Sequence, residues 1–210
     1  MALSKILAVT FIVTLTNACN NYSLRDRLEN PGTSEEKKFV SCGISCRIFV
    51  TANTYDGALG GIAGADQRCM NDPARPSSAT AWKAMLVDGV TRRACQNSNC
   101  GVSGISEGVD WVLRPGVAYT RPDGTALGTA NTEALFTFSL ANSIGTATGN
   151  VWTGFHGSNL WTADQHCLGW SDNNMAGTGN TGNPQNTTNA ALFSGAGQCS
   201  AGQWLYCVEQ

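Results

Sequence analysis

Nine cysteines constrain this 210-residue chain more than any other feature, because the run ahead of the first of them reads as an export signal. Lys5 is followed by the apolar run Ile6–Leu15. A permanent membrane span needs ~20 apolar residues. A shorter run, placed at the N-terminus just after a lysine, fits the core of a secretory signal. A buried core helix is the competing reading, and the position argues against it. Outside the cytoplasm an even cysteine count implies a disulfide framework. Setting aside Cys19, which adjoins the signal, leaves Cys42, Cys46, Cys69, Cys95, Cys100, Cys167, Cys199 and Cys207. Eight cysteines allow on the order of 100 pairings, so spacing alone does not choose among them. The close spacings of Cys42 to Cys46 and of Cys95 to Cys100 suit local loops, and also half-sites of a structural zinc cluster. Oxidation competes for those thiols in an exported chain.

The residues at the end of the run indicate the kind of signal. Leu15-Thr16-Asn17-Ala18-Cys19 resembles a bacterial lipoprotein cleavage site, at which Cys19 becomes the lipidated first residue. Thr16 and Asn17 depart from the aliphatic and small residues usual in that box, a looseness known among spirochaete lipoproteins. The alternative is an ordinary signal peptide cut after Ala18. Residues 1–18 are then the signal. Residues 19–38 are a polar, flexible tether with no helical stripe, and 39–210 form one domain long enough for a sizeable core. Without Lys5 the chain carries 12 basic and 15 acidic residues, a formal charge of −3. That weakly acidic balance gives no electrostatic footprint for nucleic acid. The basic pairs Lys37-Lys38 and Arg92-Arg93 read as solvated surface.

Along the domain, Arg47–Ala52 is rich in β-branched and aromatic residues and reads as a strand. Ile62, Ala65, Cys69 and Met70 fall on one face of a helix over 62–72, ended by Pro73 and Pro76. Trp82–Val87 reads as a strand, and 88–108 as a polar loop around Cys95 and Cys100. Trp111-Val112-Leu113 is a short apolar stretch. Pro122-Asp123-Gly124 marks a hairpin turn between Tyr119–Arg121 and Thr125–Leu127. Phe136–Leu140 alternates as a half-buried strand does, and Val151–Phe155 is a further strand candidate. Residues 171–190 are almost wholly turn-forming and read as a long irregular loop. Trp204–Val208 closes the chain as a strand. The expected class is α+β, with short, mostly antiparallel strands, one or two helices and long disulfide-tied loops.

Val151-Trp152-x-Gly154, Cys167-x-x-Trp170, a Gly/Ser/Asn loop, Cys199 and Leu205-Tyr206-Cys207-Val208-Glu209 together resemble the C-terminal half of endostatin, a domain of C-type-lectin-like fold. Ala65-Asp66-x-x-Cys69 and the strand after it resemble that domain's first helix, first cysteine and next strand. Residues 62–70, 83–95 and 110–125 are similar to a family of leptospiral lipoproteins whose shared domain has no assigned function. That family's domain is itself similar to endostatin, and its members sit in or on the outer membrane. Some endostatin-like members bind host complement factor H, laminin, fibronectin or plasminogen. The resemblance implies the pairs Cys69–Cys207 and Cys167–Cys199, with Cys95–Cys100 and Cys42–Cys46 as local extras.

A lectin-like fold raises calcium-dependent sugar binding, which needs 6–8 clustered oxygen ligands. Trp170-Ser171-Asp172-Asn173-Asn174 and Asn183-Pro184 are incomplete versions of the lectin motifs and stand in the wrong order about the cysteines. The histidine-rich zinc ligands of endostatin have no counterpart, since the two histidines are His156 and His166. His156, His166 and Asp164 lie close in sequence as an acid–base set, but no nucleophile signature accompanies them. The expectation is therefore not an enzyme, with no metal and no cofactor. Most of the six tryptophans read as core. Trp161 and Trp170, beside the loop, are candidate contact anchors, with Asp172 and Asn173 as their polar neighbours. The reading is a surface or outer-membrane lipoprotein, held to the membrane by its lipid. It acts as a binding module for extracellular host proteins, of the matrix or of complement and plasma, through loops in 156–198. The rival readings are a structural envelope lipoprotein without a host ligand, an enzyme, and a calcium lectin.

Overall fold

The computed structural model describes residues 42, 45–77, 81–158 and 160–210. The signal, Cys19, the tether with Lys37-Lys38, and the start of the domain at residue 39 lie outside them.

Alternation of side chains along the last strand organises the molecule. Strand β8, as it is numbered below, runs Trp204–Glu209 and is paired on both edges. Leu205 and Cys207 point to one face, and Tyr206 and Val208 to the other. All four are fully buried, because apolar layers cover both faces. Strand β1, Ser45–Val50, lies antiparallel along one edge of β8. The other edge is shared. Strand β2, Trp82–Ala84, takes its C-terminal half, and β5, Val151–Trp152, runs parallel to its start. Beyond β1 lie β3, Ala118–Thr120, and β4, Ala126–Thr129. Beyond β5 lie β6, Thr178–Gly182, and β7, Gly195–Gln198. The order β4-β3-β1-β8-β5-β6-β7, with β2 beside β8, makes a mixed sheet whose β1–β3 and β5–β8 pairs are parallel. The fold is α+β.

Among the described residues the one helix of more than a single turn is α1, Gly61–Asn71. It starts after Gly60, whose φ of 87° is a left-handed conformation that glycine adopts without strain. Ile62, Ala65 and Cys69 form its buried face, on the spacing its sequence predicts. They meet Phe49, Trp82, Leu86, Trp152 and Leu205 in one core layer. Each large apolar side chain buried there contributes about 1.5–3 kcal/mol. The opposite face of the sheet packs a second layer around Ile48, Met85, Tyr206 and Val208.

Four disulfides hold the described chain together: Cys69–Cys207 between α1 and β8, Cys167–Cys199, Cys95–Cys100 and Cys42–Cys46. The first spans 138 residues of sequence and joins the helix to the central strand.

The structure departs from the expected reading in several places, and Val151–Phe155 is a strand only to Trp152. Trp82–Val87 is a strand only to Ala84, because the chain then leaves β8. Met85 N–H donates to Tyr206 C=O, but Val87 N–H donates to Thr153 C=O. Phe136–Leu140 keeps its buried–exposed alternation yet is no strand. Leu140 N–H goes to Thr187 and Ala141 N–H to Leu127, so no single neighbour supplies a ladder. The loop expected over 171–190 contains β6 and a 3-10 turn at Asn189–Ala191. Arg92 is not solvated surface: it is fully buried. Its guanidinium donates to both oxygens of Asp66 on α1, to Asp110 Oδ2 and to Ala84 C=O. A cation leaves water only where carboxylates and carbonyls replace its hydration, and here they arrive from three segments.

Candidate functional site

The Cys167–Cys199 bridge and the strand β6 together build the face on which the long loops meet. His166 precedes a single helical turn, Cys167–Trp170, in which Leu168 and Gly169 have left-handed φ values of 49° and 68°. His166 Nδ1 accepts from Gly169 N–H at 2.8 Å. Ser171 Oγ donates to Leu168 C=O at 2.6 Å, and Asp172 N–H donates to Cys167 C=O. Beyond the turn, Asp172 Oδ1 accepts from Asn174 N–H, and Asn174 Oδ1 accepts from Ala176 N–H. These successive Asx turns are the local use of short polar side chains that the composition implies. Gly179 of β6 lies directly beneath. A Cβ there would stand 2.8 Å from Cys167 Sγ and 3.0 Å from the Trp152 ring.

Trp161 and Trp170 are not contact anchors. Trp161 is 1 % exposed and Trp170 0 %. Trp161 stacks on Phe138 at 5.9 Å and meets Trp111 and Phe155 edge-on. Trp170 lies 5.7 Å from Trp152, and its indole N–H donates to Val87 C=O at 3.0 Å. Burial of a ring this large is favourable once its N–H has an acceptor, so both tryptophans became core. Asn173 is exposed and donates from Nδ2 to Asp56 Oδ2 at 3.2 Å, tying the loop to the turn before α1. Asp172 is half-buried against that same loop.

In place of the tryptophans the face displays Leu168, 76 % exposed, and Met175, 69 % exposed. The sequence holds a signal for Met175: a single large apolar residue inside a run of Gly, Ser, Asn and Asp has no periodic partners to bury it. The same signal marks Val102 and Ile105, 76 % and 51 % exposed, on the loop stapled by Cys95–Cys100. That loop is braced from inside. Both oxygens of Glu107 accept backbone N–H groups, from Gln96 and Asn97 on one and from Val102 and Ser103 on the other. Donation from Ser103 N–H above all, reinforced by Asn97, Val102 and Gln96, holds the Glu107 carboxyl down at about 2. The loop packs on residues 160–162 through Cys95 N–H to Trp161 C=O and Asn99 N–H to Leu160 C=O.

The other polar candidates are engaged locally. His156 Nδ1 accepts from Ser158 N–H, and Asp164 Oδ2 accepts from the Asn180 amide. Among the described residues, no group of three or more His, Cys, Asp or Glu is placed to hold a metal ion, and no helix is long and apolar enough to cross a membrane.

No curated relative matches the chain. The sequence profile of a family described as a protein of unknown function, DUF1554, matches residues 52–188. That span runs from the end of β1 through the loop face and β6, and on its strength the chain belongs to the DUF1554 family.

Proposed function

We propose that this chain is a binding module for extracellular host proteins of the matrix or of complement and plasma. In this reading its fold is C-type-lectin-like and similar to endostatin, and it is carried on a bacterial outer membrane by a lipid on Cys19. The observation that carries the reading is the loop 167–177. It is pinned at its root by Cys167–Cys199, shaped by Asx turns, and tipped by the exposed Leu168 and Met175. Apolar tips on a covalently held loop enter an interface with little ordering cost. Methionine is also among the residues enriched at interfaces. The second stapled loop, with Val102 and Ile105, presents the same combination. A mixed sheet whose central strand is buried on both faces supplies the rigid base from which such loops work.

Two experiments test this. Protease treatment of intact cells degrades a surface-facing domain and spares a periplasmic one; survival of the domain would favour a structural envelope role instead. A screen of the 39–210 fragment against host matrix and serum proteins tests the binding itself.

A further inference from the structure

Strand β1 outlasts its neighbour, and a cleft of about 480 Å³ opens where that neighbour stops. The β1–β3 pairing ends at Arg47 and Thr120, while β1 runs on to Val50. Hydrogen-bond parity fixes which backbone groups face the gap. Thr51 N–H donates to Leu205 C=O across the β8 side, and Arg121 N–H donates to Thr125 C=O on the β4 side. Backbone groups alternate between edges along a strand. Val50 N–H and C=O therefore point away from β8, toward the place where β3 would continue. Pro122 occupies that place, and proline has no N–H with which to extend the ladder.

The walls of the cleft add side-chain chemistry. Val50, Ala147 and Trp204 line it together with Arg121, Asp123 and Thr146. Gly149 lets the Trp204 ring lie close, since a Cβ there would stand 2.2 Å from it. Arg121 is held in place by Ser143, with Nε donating to its C=O at 2.7 Å and Nη2 to its Oγ at 2.5 Å. Among the described residues it makes no ion pair within 4.0 Å, although its charge acts on Asp123 in the same cleft, whereas Arg47 nearby is engaged by Glu209. The volume lies within the roughly 300–1,000 Å³ of small-ligand sites.

We infer that this cleft takes an extended peptide segment that adds beside Val50 as a short strand, with an acidic side chain on Arg121 and an apolar one against Trp204. Strand addition at a sheet edge derives affinity from backbone hydrogen bonds and selectivity from alternate side-chain pockets. The inference rests on the binding-module reading and names a partner chemistry for a surface separate from the 167–177 loop.

The test uses the full chain with its disulfides intact and a fluorescein-labelled pentapeptide, valine–glutamate–valine–threonine–valine, blocked at both ends. Fluorescence anisotropy should show saturable binding, and peptide should slow hydrogen exchange at residues 49–52. Arg121→Gln, lysine in place of the peptide's glutamate, and N-methylation of the peptide backbone should each weaken binding at least about tenfold, the size of a lost charge-assisted hydrogen bond. Thr146→Trp fills the cleft without touching the Arg121–Ser143 contact, and should abolish binding at an unchanged melting temperature. No saturable binding, or equal binding by Thr146→Trp, overturns the inference. A chain that binds host proteins through Leu168 and Met175 yet fails here refutes this cleft alone.

Discussion

Arg92 grips Asp66 with both arms of its guanidinium: Nη1 meets Oδ1 and Nη2 meets Oδ2, each at 2.8 Å. The pair ties the start of the 88–108 loop to α1, and Ala84 N–H, donating to the same Asp66 Oδ1, ties both to β2. Asp110 closes the cluster and is paired in turn with Lys83. Arg92→Ala leaves the partly buried Asp66 carboxylate without its cation and Asp110 with Lys83 alone, which costs about 3–5 kcal/mol. Urea denaturation of the oxidised protein should show that loss. A change below about 1 kcal/mol, the size of a surface pair, would mean that the cluster does not hold the loop.

The bridges should differ in weight. In the chain-entropy model, Cys69–Cys207, closing the longest loop, contributes about 5 kcal/mol and Cys95–Cys100 about 2 kcal/mol. Replacing each pair by serine should order the melting temperatures accordingly. Equal losses would contradict the entropic account for these bridges. Non-reducing peptide mapping that joins Cys69 to any residue but Cys207 would contradict the pairing itself.

Glu107 sets a pH dependence. Its folded pKa is lowered from 4.5 to about 2. A depressed carboxyl contributes stability that is fully present above its unfolded value, and is lost as pH falls through the folded one. Glu107→Gln should therefore be less stable than the native chain at pH 7, and the gap should close between pH 4.5 and about 2. A gap that stays constant over that range, measured by denaturant midpoints, would remove Glu107 as the brace of its loop.

How much of this was legible in the sequence follows from what makes each element. The runs at Arg47–Ala52 and Trp204–Val208 carry their own β-branched and aromatic residues, and α1 carries its apolar face, so both kinds of element could be read. Strand β6 could not. Its sequence, Thr-Gly-Asn-Thr-Gly, is that of a loop. It pairs because glycine is required where Gly179 passes Trp152 and Cys167. The burial of Arg92, Trp161 and Trp170 was equally hidden, because each depends on partners distant in sequence: Asp66, Phe138 and Val87. Trp161 and Trp170, expected at the surface, are buried. Rings large enough to anchor a contact were also large enough to be drawn into the core.

The most direct measurement of the central claim is surface plasmon resonance of the oxidised 39–210 fragment over immobilised host matrix and serum proteins, alongside the reduced fragment and the double variant Leu168→Ser/Met175→Ser. Both replaced residues are exposed, so the variant should melt as the native chain does. Saturable binding by the oxidised fragment to at least one host protein is expected, lost on reduction and in the double variant. No binding in any form, or binding that survives reduction and both replacements, would contradict it.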